Sequence, residues 1–235
     1  MNEQEQAALR ERYLLVCNRL EDAARACGRA PDEVTLVAVS KFHDTAAIRV
    51  LAACGQRRFG ESYVQEARTK QTALTDLNLE WHAIGRVQTN KAKDVAGYFA
   101  LIHSVDSPRL ADALSRRLPE GAAAQPVLIQ INFGGELQKA GIAPGEAPAL
   151  AETVAALPGL NLQGLMCLPP MDVPGGARPF FTAMRRLRDE LAVRIGRALP
   201  CLSMGMSGDF AEAVAEGSTL VRIGTDIFGP RSKNG

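Results

Sequence analysis

A lysine stands at the end of the most strand-like segment of the chain. The run Val34–Ser40 is mostly apolar and strand-like, and Lys41 follows it directly. Such a run is typical of a parallel strand that is buried on both faces. An amine held at the end of a buried strand is partly desolvated, which lowers its pKa and leaves more of the neutral form that attacks carbonyl groups. From this segment alone, Lys41 is equally well explained as the point where the strand reaches solvent.

Two turns late in the chain have the composition of a phosphate-binding site. Ser207–Asp209 leads from one strand-like run into a short helical segment, and Ile223–Thr225 closes the next run. Small residues let backbone N–H groups approach an anion, and a helix N-terminus adds further donors. Ordinary strand-to-helix turns would explain either segment by itself. A reactive amine together with a phosphate site predicts pyridoxal 5′-phosphate (PLP), held as a Schiff base on Lys41.

Arg222 lies in the last apolar run, two residues before Gly224. At this spacing its side chain could point inward, toward the pyridine nitrogen of the predicted cofactor. Arginine stays protonated and donates a hydrogen bond, which leaves that nitrogen unprotonated. A neutral pyridine withdraws electrons less strongly than a pyridinium, so Arg222 argues against vigorous carbanion chemistry. The alternative is a surface arginine in an ion pair, which the apolar strand disfavours.

Eight strand-like runs alternate with helix-compatible segments rich in Ala, Leu, Arg and Glu. Strands are predicted at 34–40, 57–61, 81–85, 101–106, 126–132, 161–167, 201–207 and 219–225. Helices are predicted at 3–26, 44–53, 64–70, 107–118, 146–156, 178–199 and 210–216. Strict alternation of the two predicts parallel strands joined by right-handed crossovers.

Eight strands in one series fit an α/β fold of the closed (β/α)8 (TIM) barrel type. We expect one PLP-binding domain over residues 1–235, with 1–28 as an extra helix packed on the barrel. The runs at 57–61 and 161–167 are the least strand-like of the eight. A doubly wound sheet is the alternative if either run is not a strand. In a barrel all strands end at one face, and the loops after the last two strands are its recurrent phosphate site.

Composition and charge restrict the class of protein. The chain has 235 residues and a formal net charge of +1, which gives no electrostatic reason to expect nucleic acid or an anionic membrane as a partner. The N-terminus lacks an apolar signal core, and no run is long enough to cross a membrane. The five cysteines are scattered without metal-ligand spacing, which suits reduced thiols. We therefore expect a cytoplasmic protein.

Several motifs taken together resemble the pyridoxal phosphate homeostasis protein family. They are VAVSK (37–41), RFGESYVQEA (58–67), WHAIG with QTNK (81–91), HSVD (103–106), LSMGMSGD (202–209) and GSTLVRIGTDIFGPR (217–231). The resemblance covers nearly the whole chain and implies a barrel similar to the N-terminal domain of alanine racemase. It implies PLP on Lys41, a phosphate held by Ser207, Gly224 and Thr225, and Arg222 facing the pyridine nitrogen.

Ser62 and His82 complete the predicted cofactor-binding set, although a packed core histidine is the alternative for His82. The chain departs from the usual pattern of the family in three places. Ser62 replaces an asparagine, Arg86 replaces a proline, and Ala140 replaces a serine after Lys139. None of these changes removes the Schiff-base lysine or the phosphate-binding residues.

The resemblance implies a protein of intracellular PLP homeostasis that holds the cofactor without strong catalytic turnover. PLP is then its ligand, PLP-dependent apoenzymes are candidate recipients, and neither a metal nor a catalytic residue is expected. One alternative is an amino-acid racemase, but alanine racemase takes its tyrosine from a second domain and a partner subunit. This chain has no residues for such a domain, so we expect a monomer. The other alternative is a class I aldolase, in which Lys41 attacks the substrate without a cofactor.

Overall fold

Eight parallel strands form the centre of the computed structural model, which describes residues 1–135, 140–170 and 176–230. They are β1 Thr35–Val39, β2 Arg58–Glu61, β3 Glu80–Ala83, β4 Leu101–Val105, β5 Gln125–Ile131, β6 Leu160–Cys167, β7 Cys201–Ser203 and β8 Leu220–Ile223. Neighbours in sequence are neighbours in the sheet, and β1 pairs with β8 to close it. The predicted barrel is confirmed, and the doubly wound alternative is wrong because such a sheet would leave β1 and β8 unpaired with each other.

Alternate residues of the strands point into the barrel and pack there. Val37, Leu101, Leu128, Met166 and Leu220 form one small buried cluster, each from a different strand. A much larger apolar core lies between the strands and the surrounding helices. Because side chains fill the interior, space for a ligand is left at the carboxyl ends of the strands.

Helices cover the outside of the barrel. They are α1 Glu3–Ala26, α2 Thr45–Ala53, α3 Val64–Ala73, α4 Pro108–Arg117, α5 Ala147–Ala156, α6 Arg178–Ile195, α7 Phe210–Ala215 and α8 Thr225–Phe228. The connection from β3 to β4 contains a 3-10 segment, Thr89–Asp94, where the others have an α-helix. Among the described residues, none of the helices has both the length and the apolar character needed to span a lipid bilayer.

The last two strands are shorter than the sequence predicts. β7 ends at Ser203, since Gly205 has a φ of 93° and the Met206 N–H donates to Asp209 Oδ1 at 2.6 Å. β8 ends at Ile223, and Thr225 is the first residue of α8. Residues compatible with a strand therefore extend past the true strand ends, where they form loops at the carboxyl face of the barrel.

The N-terminal helix α1 packs against α2, α7 and α8. Arg12 Nε donates to Ile227 O at 2.8 Å, and Arg19 forms an ion pair with Asp226 at 2.9 Å. Both partners lie in α8, which begins at Thr225 at the end of the barrel that is predicted to bind phosphate. The helix therefore supports the outer side of this end.

Candidate cofactor-binding site

A cavity of about 460 Å³ opens at the carboxyl ends of the strands. Its described lining is Val39, Lys41, Ser62, Ile84, Gly85, Arg86, Gln130, Ala140, Leu168, Met206, Ser207, Gly208, Arg222, Gly224 and Thr225. Six of the seven predicted cofactor-binding residues are among them, and His82 is not. These six come from the ends of four strands: β1, β2, β7 and β8. The barrel thus brings together residues that are far apart in the sequence.

Lys41 lies two residues beyond β1, a strand that is hydrogen-bonded on both edges. The preceding residue, Ser40, donates its backbone N–H to Gly60 O at 3.1 Å, so the pairing continues almost to the lysine. Lys41 is partly buried and lines the cavity. Of the two interpretations of the sequence, the one that places the amine at a cavity agrees with this geometry.

The loops after β7 and β8 supply small residues to the same cavity. Among the described residues, the backbone N–H groups of Ser207, Gly208 and Thr225 donate no hydrogen bond. Backbone donors that lack an internal acceptor are available to a bound anion. The two loops can therefore bind a phosphate through the main chain, together with the Ser207 and Thr225 hydroxyl groups.

Arg222 is buried, with 4% of its surface exposed, and its side chain points into the barrel. Its Nη1 donates to Ser203 Oγ at 2.6 Å and its Nη2 donates to Cys167 O at 2.9 Å. Burial lowers the pKa of the guanidinium. Among the described residues it forms no ion pair with a carboxylate, which rules out the surface ion pair considered from the sequence. A buried guanidinium that forms no ion pair has N–H groups available for an acceptor in the cavity.

His82 lies inside the barrel, outside the lining of the cavity, and is 3% exposed. Burial lowers its pKa to about 4, so the ring is neutral at pH 7. Its Nδ1 is 2.9 Å from Nε2 of His103, and burial also lowers the pKa of His103 well below the usual range. This position agrees with the packed core histidine that the sequence left open, and direct contact with a cofactor stays a prediction.

A chain of hydrogen bonds connects His82 to Arg222. His103 Nδ1 lies 2.8 Å from Ser203 Oγ, which also accepts from Arg222. Because arginine can only donate, the serine hydroxyl proton is available for His103 Nδ1. In that arrangement His103 would carry its own proton on Nε2 and would donate it to His82 Nδ1. The two neutral histidines therefore support the side chain that holds the guanidinium at the base of the cavity.

Comparison with known proteins shows which family the chain belongs to. A family model described as alanine racemase, N-terminal domain, matches residues 18–232. A pyridoxal phosphate homeostasis protein of Pseudomonas aeruginosa is 45% identical over 225 residues, which are 96% of this chain and 96% of that protein. The chain belongs to the pyridoxal phosphate homeostasis protein family. A protein of the same name from Aquifex aeolicus is 45% identical over 94% of this chain and 97% of its own length. The family predicted from the motifs is confirmed.

Solved structures extend the comparison to the fold. PipY of Synechococcus elongatus, in a structure described as without PLP, has a TM-score of 0.81 and 39% identity, over 89% of this chain and 100% of that one. Its structure described as with PLP bound has a TM-score of 0.79 over 89% of this chain and 99% of that one. Alanine racemase from Corynebacterium glutamicum, at 21% identity and a TM-score of 0.69 over 92% of this chain and 61% of that one, shows a similar fold alone.

The groups around the cavity complement those of PLP. Among its described lining residues, Lys41, Arg86 and Arg222 are cationic and none is acidic. A phosphate ester dianion suits this positive charge, an aldehyde can react with an amine, and a pyridine nitrogen can accept from a guanidinium. The site of this pyridoxal phosphate homeostasis family member therefore fits the cofactor named in its relatives.

All three departures from the family pattern line the cavity, namely Ser62, Arg86 and Ala140. Ser62 and Arg86 line both this cavity and an adjoining one of about 460 Å³, which also includes Tyr63 and Lys91. Arg86 therefore adds positive charge at the mouth, as the sequence predicts. Lys139 lies outside the described residues.

Several lining residues were not predicted from the sequence. Val39, Ile84 and Leu168 resemble ordinary core residues, and Met206 resembles barrel packing. Gln130 points toward the cavity end of β5, where its Nε2 donates to Ala140 O at 2.7 Å. Gln130 is one residue before the end of β5, which is also the position of Arg222 in β8, and this position could have indicated it.

Proposed function

We propose that this chain binds PLP and serves in intracellular PLP homeostasis. The observation that carries the proposal is the single cavity that contains Lys41, the two loops with available backbone donors, and buried Arg222. The names of the relatives and the PLP-bound structure of PipY support it.

In this proposal different residues bind the aldehyde, the phosphate and the ring nitrogen of the cofactor. Bound PLP supplies an aldehyde that an amine captures as a Schiff base and a ring that withdraws electrons. Lys41 provides the amine, while Ser207, Gly224 and Thr225 bind the phosphate. Arg222 donates to the ring nitrogen and keeps it unprotonated.

The remaining predicted residues take supporting positions. Ser62 borders the mouth of the cavity, and its hydroxyl is shorter than the amide that is usual in the family. His82 acts through His103 and Ser203, because it is hydrogen-bonded to that chain and does not line the cavity.

The cavity favours storage or delivery of the cofactor over strong catalysis. Two-base racemization needs an acid–base group on each face of the substrate. Among the described lining residues, there is no tyrosine, histidine, cysteine or carboxylate to join Lys41 in that role. The neutral ring nitrogen expected beside Arg222 also weakens carbanion stabilisation. We therefore propose a carrier whose recipients are PLP-dependent apoenzymes. We propose in addition, as the sequence led us to expect, that it is cytoplasmic and monomeric.

The first test compares wild type, Lys41→Ala and the matched control Lys91→Ala, with Lys91 in the adjoining cavity. Each protein is loaded with PLP, its visible absorbance is recorded, and the Schiff base is trapped with borohydride and located by peptide mapping. We expect one trapped pyridoxyl group, on Lys41, in wild type and Lys91→Ala. Lys41→Ala should lose the visible band and the trapped group.

Two results would contradict the proposal. One is a wild-type protein that stays colourless with added PLP, which would favour a cofactor-free aldolase. The other is racemization of L-alanine by the purified protein at an enzyme-like rate, which would favour the racemase.

A further inference from the structure

Four polar side chains, three of them buried and one partly exposed, form a cluster around the residue that precedes Lys41. Lys70 Nζ donates to Glu61 Oε1 at 2.8 Å, to Glu66 Oε1 at 2.7 Å and to the backbone oxygen of Ser40 at 2.7 Å. The Ser40 hydroxyl donates to the same Glu61 oxygen at 2.6 Å. None of Lys70, Glu61 and Glu66 lines the cavity. The cluster is therefore separate from the residues assigned to the cofactor.

The cluster is well shielded from solvent. The side chains of Lys70 and Glu61 are 7% and 0% exposed. Burial raises the pKa of Glu61, and its hydrogen bonds to Lys70 and Ser40 act in the opposite direction. All three N–H groups of the lysine are used, so removing Lys70 would leave two carboxylates without their cation. Burying charged groups costs free energy even when they are paired, and stability alone would be served as well by apolar packing.

The bonds from the cluster reach the main chain on both sides of Lys41. Lys70 binds the Ser40 carbonyl oxygen, and Glu66 Oε1 accepts the backbone N–H of Phe42 at 2.6 Å. Phe42 has a φ of 68° and is the one described residue other than glycine with a positive φ. A bulky residue adopts this conformation only where its surroundings impose it. The cluster therefore restrains the backbone that carries the reactive lysine.

We propose that Lys70, with Glu61 and Glu66, is a positioning residue that sets the orientation and the charge environment of Lys41. The proposal rests on the function proposed for Lys41. Lys70 restrains the residue before Lys41 directly and the residue after it through Glu66. It also places a positive charge between two carboxylates, within hydrogen-bond distance of the residue that precedes Lys41.

The test uses PLP-free protein, so that it does not depend on cofactor binding. Lys41 and Lys91 are reductively methylated with formaldehyde, and the rate at each lysine is followed over a pH series by peptide mapping. Losing the Lys70 charge leaves two carboxylates nearby, which stabilise the protonated form of Lys41. In Lys70→Met the pH midpoint of Lys41 reactivity should rise by roughly half a unit to one unit, so that the rate at neutral pH falls about 3- to 10-fold relative to Lys91.

A second variant should shift the pH midpoint of Lys41 reactivity in the opposite direction. Glu61→Gln removes a negative charge, so the midpoint should move down. Glu216→Gln is its matched control, because Glu216 is also a buried carboxylate, paired with Arg178 at 2.9 Å outside the cavity lining. That variant should leave the midpoint unchanged. Lys70→Arg keeps the charge and should restore a midpoint close to wild type.

A merely structural role would give a different pattern. Lys70→Met and Glu61→Gln would then lose thermal stability, as is expected of Glu216→Gln, while the pH midpoint of Lys41 stayed that of wild type. This result would overturn the proposal. If Lys70→Met fails to fold, Glu66→Gln is the substitute, since Glu66 is 25% exposed. If the pH midpoints shift as expected but the protein does not bind PLP, the positioning role of Lys70 is supported and the proposed function in PLP homeostasis is rejected.

Discussion

Lys41 and Arg222 line one cavity, yet each depends on side chains that lie outside it. Arg222 is bound to Ser203, which continues to His103 and His82 inside the barrel. Both imidazoles are neutral because burial disfavours their charged form. Protonating either ring would add a positive charge near the buried guanidinium and break the order of donors and acceptors in the chain. The network is thus sensitive to acid.

We expect the free energy of unfolding to fall between pH 6.5 and pH 5. The pKa of His82 is about 4 in the folded protein, against a usual value of 6.5, so the unfolded chain binds more protons across this range. Stability is then complete above pH 6.5 and is lost as the pH falls toward the folded pKa. The loss from His82 is at most ~3 kcal/mol by pH 4. Urea unfolding at pH 7.5, 6 and 5 measures it.

The control is the double variant His82→Gln, His103→Gln. Burial also lowers the pKa of the third histidine, His43. Its contribution to the pH dependence of stability has the same direction in wild type and in the double variant. The variant should therefore show a flatter dependence on pH than wild type. Parallel curves for the two proteins would mean that the interior histidines do not carry the effect.

At the scale of elements, the site depends on close packing between segments that follow neighbouring strands. Gly85 follows β3 and lies against Ser62, which follows β2. A Cβ atom on residue 85 would lie 2.2 Å from the Ser62 backbone oxygen, so only glycine fits without a shift. Gly208, in the loop after β7, has nothing within 4 Å of its Cβ position. The two glycines therefore have different roles at one cavity.

We expect Gly85→Ala to lower the free energy of unfolding by about 1–3 kcal/mol, as forced overpacking does. It should also weaken PLP binding, because Ser62 lines the cavity. Gly208→Ala should change stability by less than about 0.5 kcal/mol, as substitutions in open space do. Urea unfolding and PLP titration of both variants provide the measurement. Equal stability of the two variants would show that the contact with Ser62 is not tight.

At the scale of the whole molecule, α1 and the closed barrel are joined at α8. The ion pair from Arg19 to Asp226 and the bond from Arg12 to Ile227 connect the first helix to the last. The barrel is closed by pairing of β1 with β8, so its first and last strands depend on each other. One domain over residues 1–235 stays a prediction, and the contacts between α1 and the barrel provide a way to test it.

We expect one cooperative unfolding transition. Trp81, the single tryptophan, lies in β3 and reports on the barrel by fluorescence, whereas far-UV circular dichroism is dominated by the helices, including α1. The two signals should give coincident midpoints in urea, because a single domain unfolds as a unit. A helical signal that is lost at a lower urea concentration would show that α1 unfolds separately.

Much of the fold follows from local patterns. Apolar runs between helical segments predict the eight strands, and Ser107 with Pro108 predicts the start of α4, where the Leu110 N–H donates to Ser107 Oγ. The ends of β7 and β8 are predicted less well. Met, Thr and Val satisfy strand preferences on either side of the true boundary, which is decided by backbone turns such as that at Gly205.

Local patterns and motifs in the chain are enough to predict the barrel class and the family. They also predict six of the residues around the cavity, because strand ends in a parallel barrel converge on one face. The side chains that support these residues can be identified only in the folded barrel. Glu66 and Lys70 have the spacing of a surface ion pair on a helix, yet packing of α3 against β2 buries the lysine. His103 and Ser203 are 100 residues apart, and only closure of the barrel brings them together. Burial and long-range contact depend on the whole chain, so no local pattern contains them.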